Sequence, residues 1–190
     1  KFLPEFLKRY PEIKVQMMVT NRRVDIINEG FDLALRVRSN LDDDPNLVIR
    51  KFENIEQHLF ASQAYLNQFG DLKQPEDLAQ HQILSMADEH LDQHIVVSDA
   101  NHHQKKIKVN PTVMGSDLSM LASLACQDCG VVLLPDSIVA DHVKSGALVR
   151  VLPEWRSAHG IFHAVYPSRR GLLPAVRVFI DYLVEKLSKI

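Results

Sequence analysis

The chemistry-bearing residues of this chain are donors and cations rather than nucleophiles. Met114, Gly115 and Ser116 stand just before an apolar run with helical spacing, and Asp117 follows them. Ser116 and Asp117 can cap that helix, whose first backbone N–H groups have no intrahelical partner and favour an anion. Gly115 lets a ligand approach the backbone closely. Arg36, Arg38 and Ser39 close a second apolar run, FDLALRVRS. The arginine fork matches a carboxylate bidentately. One of the two arginines is expected to point inward, and the competing role for both is surface pairing with Asp42, Asp43 or Asp44. Thr20 and Asn21 lie at a strand end before a helical pattern, where α/β sheets bind ligands, and they can also serve as caps. Leu133 and Pro135 end the run VVLLP as cleft wall or hinge, with Leu133 also suited to plain packing. These ten residues predict non-covalent binding of a small acidic molecule.

Other constellations point to less. Cys126 and Cys129 form a C-x-x-C at the end of a helical pattern. There the helix dipole disfavours a thiolate, whereas reactive pairs of this kind sit at helix starts. Cys129 shares a stripe with Leu118, Leu121, Ala122 and Ala125, which assigns it to the core. Asp88, His90, Asp92, His94, His102 and His103 could ligate a metal, but the surrounding pattern reads as loop and hairpin, so a solvated surface is expected. No zinc spacing, phosphate loop, dinucleotide fingerprint or G-x-S-x-G elbow occurs. His58, His81, His142, His159 and His163 have no partner that spacing reveals. A binding module without cofactor or resident metal is expected, not an enzyme.

Composition sets the frame. The chain has 190 residues, 46% of them hydrophobic and 24% charged, with a formal net charge of −2. It lacks the basic excess of a nucleic-acid binder. Its two cysteines suit a reducing cytosol rather than a disulfide framework. No apolar run approaches the roughly 18 residues of a membrane span, so no membrane partner is expected. KFLPEFLKRYPEI has no signal-peptide pattern and reads as a helix already under way inside a larger protein.

The elements that must position these residues follow from periodicity. Helices are expected over Phe2–Tyr10, Asn21–Glu29, Gln63–Phe69, the segment ending at Gly130, Asp136–Ser145 and Pro174–Leu187, with a shorter one near Pro75. Strands are expected over Ile13–Val19, Phe31–Val37, Leu47–Phe52, Gln57–Ala61, Ile83–Met86, Val131–Leu134, Leu148–Leu152 and Ile161–Tyr166. His94–Ser98 and Lys105–Val109 read as a hairpin. The alternation argues α/β with a largely parallel sheet.

In this order, several segments resemble the effector-binding domain of LysR-type transcriptional regulators. They are FLKRYPEIKVQMMVTNRRVDIINEGFDLALRV, LFASQAYLNQFGDLKQPEDLAQHQIL, LASLACQDCGVVLLPDSIVADHVKSGALVRVLPEW and HAVYPSRRGLLPAVRVFIDYLVEKL. The resemblance covers nearly the whole chain. It implies an α/β fold of two Rossmann-like lobes with a central cleft, like type 2 periplasmic binding proteins. Lobe I would be residues 1–83 plus 161–190, without the family's first strand, and lobe II residues 84–160. It further implies a cytoplasmic bacterial regulator that binds a small, anionic effector between the lobes. Closure would be passed through a homodimer or homotetramer to a winged helix-turn-helix absent from this chain, the sole contact with DNA. RNA polymerase is a further partner of such regulators. A stand-alone solute-binding protein of the same fold and a small α/β enzyme are the alternatives.

Overall fold

A computed structural model describes residues 2–20, 22, 24–41, 44–86, 94–168 and 173–187. The elements are α1 (Leu3–Arg9), β1 (Ala34–Arg38), β2 (Leu47–Ile55), β3 (Gln57–Ala61), α2 (Gln63–Phe69), a 3-10 turn (Pro75–Gln80) and β4 (Ile83–Met86). They continue with β5 (His94–Ser98), β6 (Gln104–Lys108), β7 (Pro111–Gly115), α3 (Leu118–Cys126), β8 (Val131–Pro135), α4 (Asp136–Lys144), β9 (Val149–Ser157), β10 (Gly160–Pro167) and α5 (Pro174–Leu187). Two compact units result: Lys1–Ile55 with Gly160–Ile190, and Glu56–His159. Residues 56–83, expected in lobe I, therefore fall in the second unit. The reason is β3, which pairs with β8 and β9 in the middle of that unit's sheet.

In the first unit, β10 lies between β1 and β2, and both pairings are antiparallel. Helices α1 and α5 pack through aromatic rings. Phe6 is fully buried, with its ring centroid 4.7 Å from Phe179 and 5.3 Å from Tyr182. The Tyr182 hydroxyl donates to the Phe2 carbonyl at 3.1 Å. Ion pairs Arg9–Glu185 and Lys186–Glu5 rim the contact.

The second unit holds a seven-stranded sheet, β6-β5-β9-β3-β8-β4-β7. Among the described residues only the pairs of β4 with β7 and with β8 are parallel. The expectation of a largely parallel sheet is thus corrected to a mixed one. Parallel neighbours need a long crossover, and here such crossovers occur only around β4, through the β5–β6 hairpin and through α3. The sheet separates two cores. Alternation along β8 sends Val131 and Leu133 into one, with Leu59, Tyr65 and Ile83. It sends Val132 and Leu134 into the other, with Phe60, Leu84 and the α3 residues Leu121, Ala122 and Ala125.

Local chemistry sets several boundaries. Ser62 caps α2 by accepting from the Tyr65 N–H at 3.0 Å, and Gly70 ends it at φ +97°. At the end of α3, Asp128 turns left-handed at φ +61° and the Cys129 N–H returns to the Leu124 carbonyl at 3.2 Å. This is a six-to-one helix stop.

Two expected elements do not form. Ile13–Val19 pairs with no described strand, and Val15, Met17, Met18 and Val19 are exposed. A two-residue period needs a neighbour to bury its apolar side, and the described residues supply none. In place of a helix over Asn21–Glu29 there are turns from Ile26 to Gly30. The Asp25 carboxylate accepts from the Ile27 and Asn28 N–H groups, which competes with helix propagation.

Candidate functional site

In the second unit, β4 runs between β7 and β8 in the same direction as both. Their carboxyl ends, Met86, Gly115 and Pro135, therefore lie at one edge, where α3 and α4 also begin. Ligands of open α/β sheets bind outside such an edge. Met114, Gly115, Ser116 and Pro135 are brought together there. Met86 stands beside Gly115 in the ladder, and spacing gave no reason to single it out. Gly115 brings the strand end close to α3, where the flexible tip of the exposed Met120 side chain lies over it. A Cβ at this position would lie 2.8 Å from Cε of Met120, one turn into α3.

Asp117, not Ser116, caps α3. Its carboxylate accepts from the Ser119 N–H at 2.8 Å and the Met120 N–H at 3.2 Å. Two of the N–H groups that would attract an external anion are thereby already met by a negative side chain. Ser116 is exposed beside them. Leu133 packs against the first core rather than at the edge. Pro135 is buried at the start of α4.

The same edge contains a cluster that linear spacing hid. His58 on β3 pairs with Leu134 and lies across from Arg156 on β9. Its Nδ1 is 3.3 Å from the Asp136 carboxylate, which also receives Arg150 at 2.6 Å. The imidazole and the guanidinium approach the same carboxylate oxygen and so bring β3, β9 and α4 together. Among the described residues no serine or cysteine hydrogen-bonds His58, so the cluster lacks a nucleophile.

In the first unit, Arg36 is half-buried and donates to the Val24 carbonyl at 2.7 Å. Arg38 is exposed, and among the described residues its guanidinium reaches the adjacent Val37 carbonyl at 3.4 Å. The expectation that only one of them faces inward is corrected. Two residues apart on one strand, they share a face. The pairings place Arg36 opposite His163, which stands opposite Lys51. His163 is fully buried, its Nδ1 is 2.7 Å from the Ile161 carbonyl, and its Nε2 has no partner. Ser39 is exposed after β1, and Thr20 is exposed with Oγ1 accepting from the Arg22 N–H at 3.3 Å. Asn21, like Asp42 and Asp43, lies outside the described residues.

Cys126 and Cys129 are half-buried and free, both packed against the second core. Burial pushes the Cys126 thiol up, away from thiolate chemistry. Asp88, His90 and Asp92 lie outside the described residues. Among the described residues no group of three His, Cys, Asp or Glu side chains could hold a metal, and no helix is long and apolar enough to cross a membrane.

Comparison with known proteins matches residues 1–188 to the LysR substrate binding domain. A helix-turn-helix-type transcriptional regulator of Xanthomonas campestris is 32% identical over 189 residues, covering 98% of this chain and 54% of its own length. The regulator CrgA of Neisseria meningitidis is 32% identical over 186 residues, 97% of this chain and 60% of its own. The chain thus spans little more than half the length of these relatives. The CrgA regulatory domain superposes with a TM-score of 0.82 at 31% identity, covering 98% of this chain and 90% of that one. Full-length AphB of Vibrio cholerae shares the fold, with a TM-score of 0.81 at 24% identity over 97% of this chain and 62% of its own. The match over almost every residue, together with the two α/β units, establishes that the chain belongs to the LysR substrate binding domain family.

Proposed function

We propose that this chain is the ligand-sensing regulatory domain of a LysR-type transcriptional regulator in the bacterial cytoplasm, and that it works by binding rather than turnover. The observation that carries the reading is the common carboxyl edge of β4, β7 and β8. There Met114 and Gly115 end β7 and Ser116 offers an exposed hydroxyl beside the start of α3. The two compact units are the lobes, and a small effector biases the equilibrium between their arrangements. It does so only by its difference in affinity for the two states. The output passes through a homodimer to a DNA-binding segment of the parent protein. The arginines on β1 favour an effector that carries an anionic group.

A thermal-shift screen against small carboxylates, amino acids, sugars and aromatic acids tests this. A true effector at a hundred times its Kd stabilises the domain by about 2.7 kcal/mol. Stabilisation that Ser116→Ala removes, with no chemical change in the ligand by mass spectrometry, supports the reading. A ligand that is consumed, or a complete absence of stabilising compounds, rejects it.

A further inference from the structure

Register and burial in the first unit single out one face of its sheet. Residues directly opposed in an antiparallel ladder project to the same side. Arg36, His163 and Lys51 therefore form one row across β1, β10 and β2, with Arg38 on the same side two residues along. The other strand residues of that side, Ala34, Leu47, Ile49, Asn54, Ile161, Val165 and Pro167, are uncharged. Beside Arg36, which is engaged by the Val24 carbonyl, Arg38 and Lys51 thus lie on the face without a carboxylate from the strands. Lys51 is exposed, and among the described residues its ammonium has no hydrogen-bond or ion-pair partner.

The centre of the row supplies an independent observation. The Ile161 carbonyl can only accept, so the His163 Nδ1 facing it at 2.7 Å carries the proton. In the neutral ring Nε2 is then a lone pair, shielded from solvent and without a donor among the described residues. A ligand that satisfies the face must bring both a negative charge and a hydrogen-bond donor. We propose that this face binds a small hydroxy acid. The carboxylate accepts from Arg38 and Lys51, and the hydroxyl donates to Nε2 of His163. The proposal rests on the effector-sensing reading and names its ligand class. An acid without the hydroxyl leaves Nε2 unpaired, and an amide brings no charge to Arg38 and Lys51.

The test is calorimetric titration of the domain with 3- and 4-hydroxybenzoate, lactate and mandelate, each beside its acid lacking the hydroxyl and its amide. At least one hydroxy acid binds, and both of its analogues bind about tenfold more weakly or worse. Lys51→Gln and Arg38→Gln, at exposed positions, each weaken it while circular dichroism stays unchanged. The Nε2 nitrogen resonance of His163 moves on saturation. Failure of every hydroxy acid to bind, or binding indifferent to both variants, overturns the proposal. A stabilising ligand lost on Ser116→Ala but not on Lys51→Gln or Arg38→Gln removes this face and keeps the effector reading. No stabilising ligand of any class removes both.

Discussion

Gly130 connects the stop of α3 to β8, and replacing it with alanine tests the account of how the candidate edge is built. Its φ is +148°, and a Cβ there would lie 2.4 Å from the Gln82 carbonyl oxygen. That oxygen also accepts from the Val131 N–H at 2.8 Å, just where β8 joins β4. The neighbour is backbone in a sheet, so it cannot swing aside as a side-chain end would. The backbone term costs about 1–3 kcal/mol. The steric term adds about 1–3 kcal/mol. Gly146→Ala is the control, because Gly146 has φ +77° but nothing within 4 Å of its Cβ direction. It isolates the backbone term, about 1–2 kcal/mol. Denaturant unfolding can be followed through Trp155, the chain's one tryptophan, which packs against the first core. Gly130→Ala should lower the midpoint well beyond Gly146→Ala at similar m. In a domain of this size its Tm should fall by about 5–20 °C. Equal losses in the two variants would refute the close approach of the Gly130 and Gln82 backbones.

Other consequences are open to direct measurement. Asp117→Ala should cost about 1 kcal/mol in denaturant unfolding, and Asp117→Asn much less, because the amide oxygen still accepts from the helix start. The Arg22 guanidinium hydrogen-bonds Glu29 and holds its carboxyl down to about 2. A depressed carboxyl contributes above its unfolded value of 4.5 and loses that contribution as pH falls toward 2. Carbon-detected titration should find the low midpoint, and Arg22→Gln should return it toward 4.5. The Tyr65 hydroxyl accepts from the Gln82 N–H at 2.9 Å and meets His81 Nδ1 at 3.1 Å. Tyr65→Phe should cost about 1–3 kcal/mol by leaving those groups unpaired. Burial lowers the His81 value below 6.5, so its contribution is full above 6.5 and declines as pH falls through that window. A His81 midpoint at or above 6.5 by proton NMR would contradict this.

What the amino-acid order determined by itself is local. Ser62 and Gly70 bracket α2, Asp117 and Gly130 bracket α3 and its stop, and an amphipathic stripe marks α5, all readable because caps and helical periods act over a few residues. The apolar run ending at Pro135 and the His94–Ser98 hairpin strand were legible for the same reason. The order of segments was enough to identify the family. Pairing, by contrast, belongs to the tertiary structure. Val15, Met17 and Val19 have a strand's alternation yet join no described ladder, since a strand exists only with a neighbour. The pattern of β3 was plain, but only its pairing with β8 and β9 moved residues 56–83 into the second unit. The candidate sites divide in the same way. Gly115 and Ser116 stand out because a helix start follows them directly in the chain. His58 meets Asp136 and Arg150, and His163 stands between Arg36 and Lys51, through ladders that join residues tens of positions apart. Register decides those neighbours, and register is set by how whole strands pack, which no local spacing encodes.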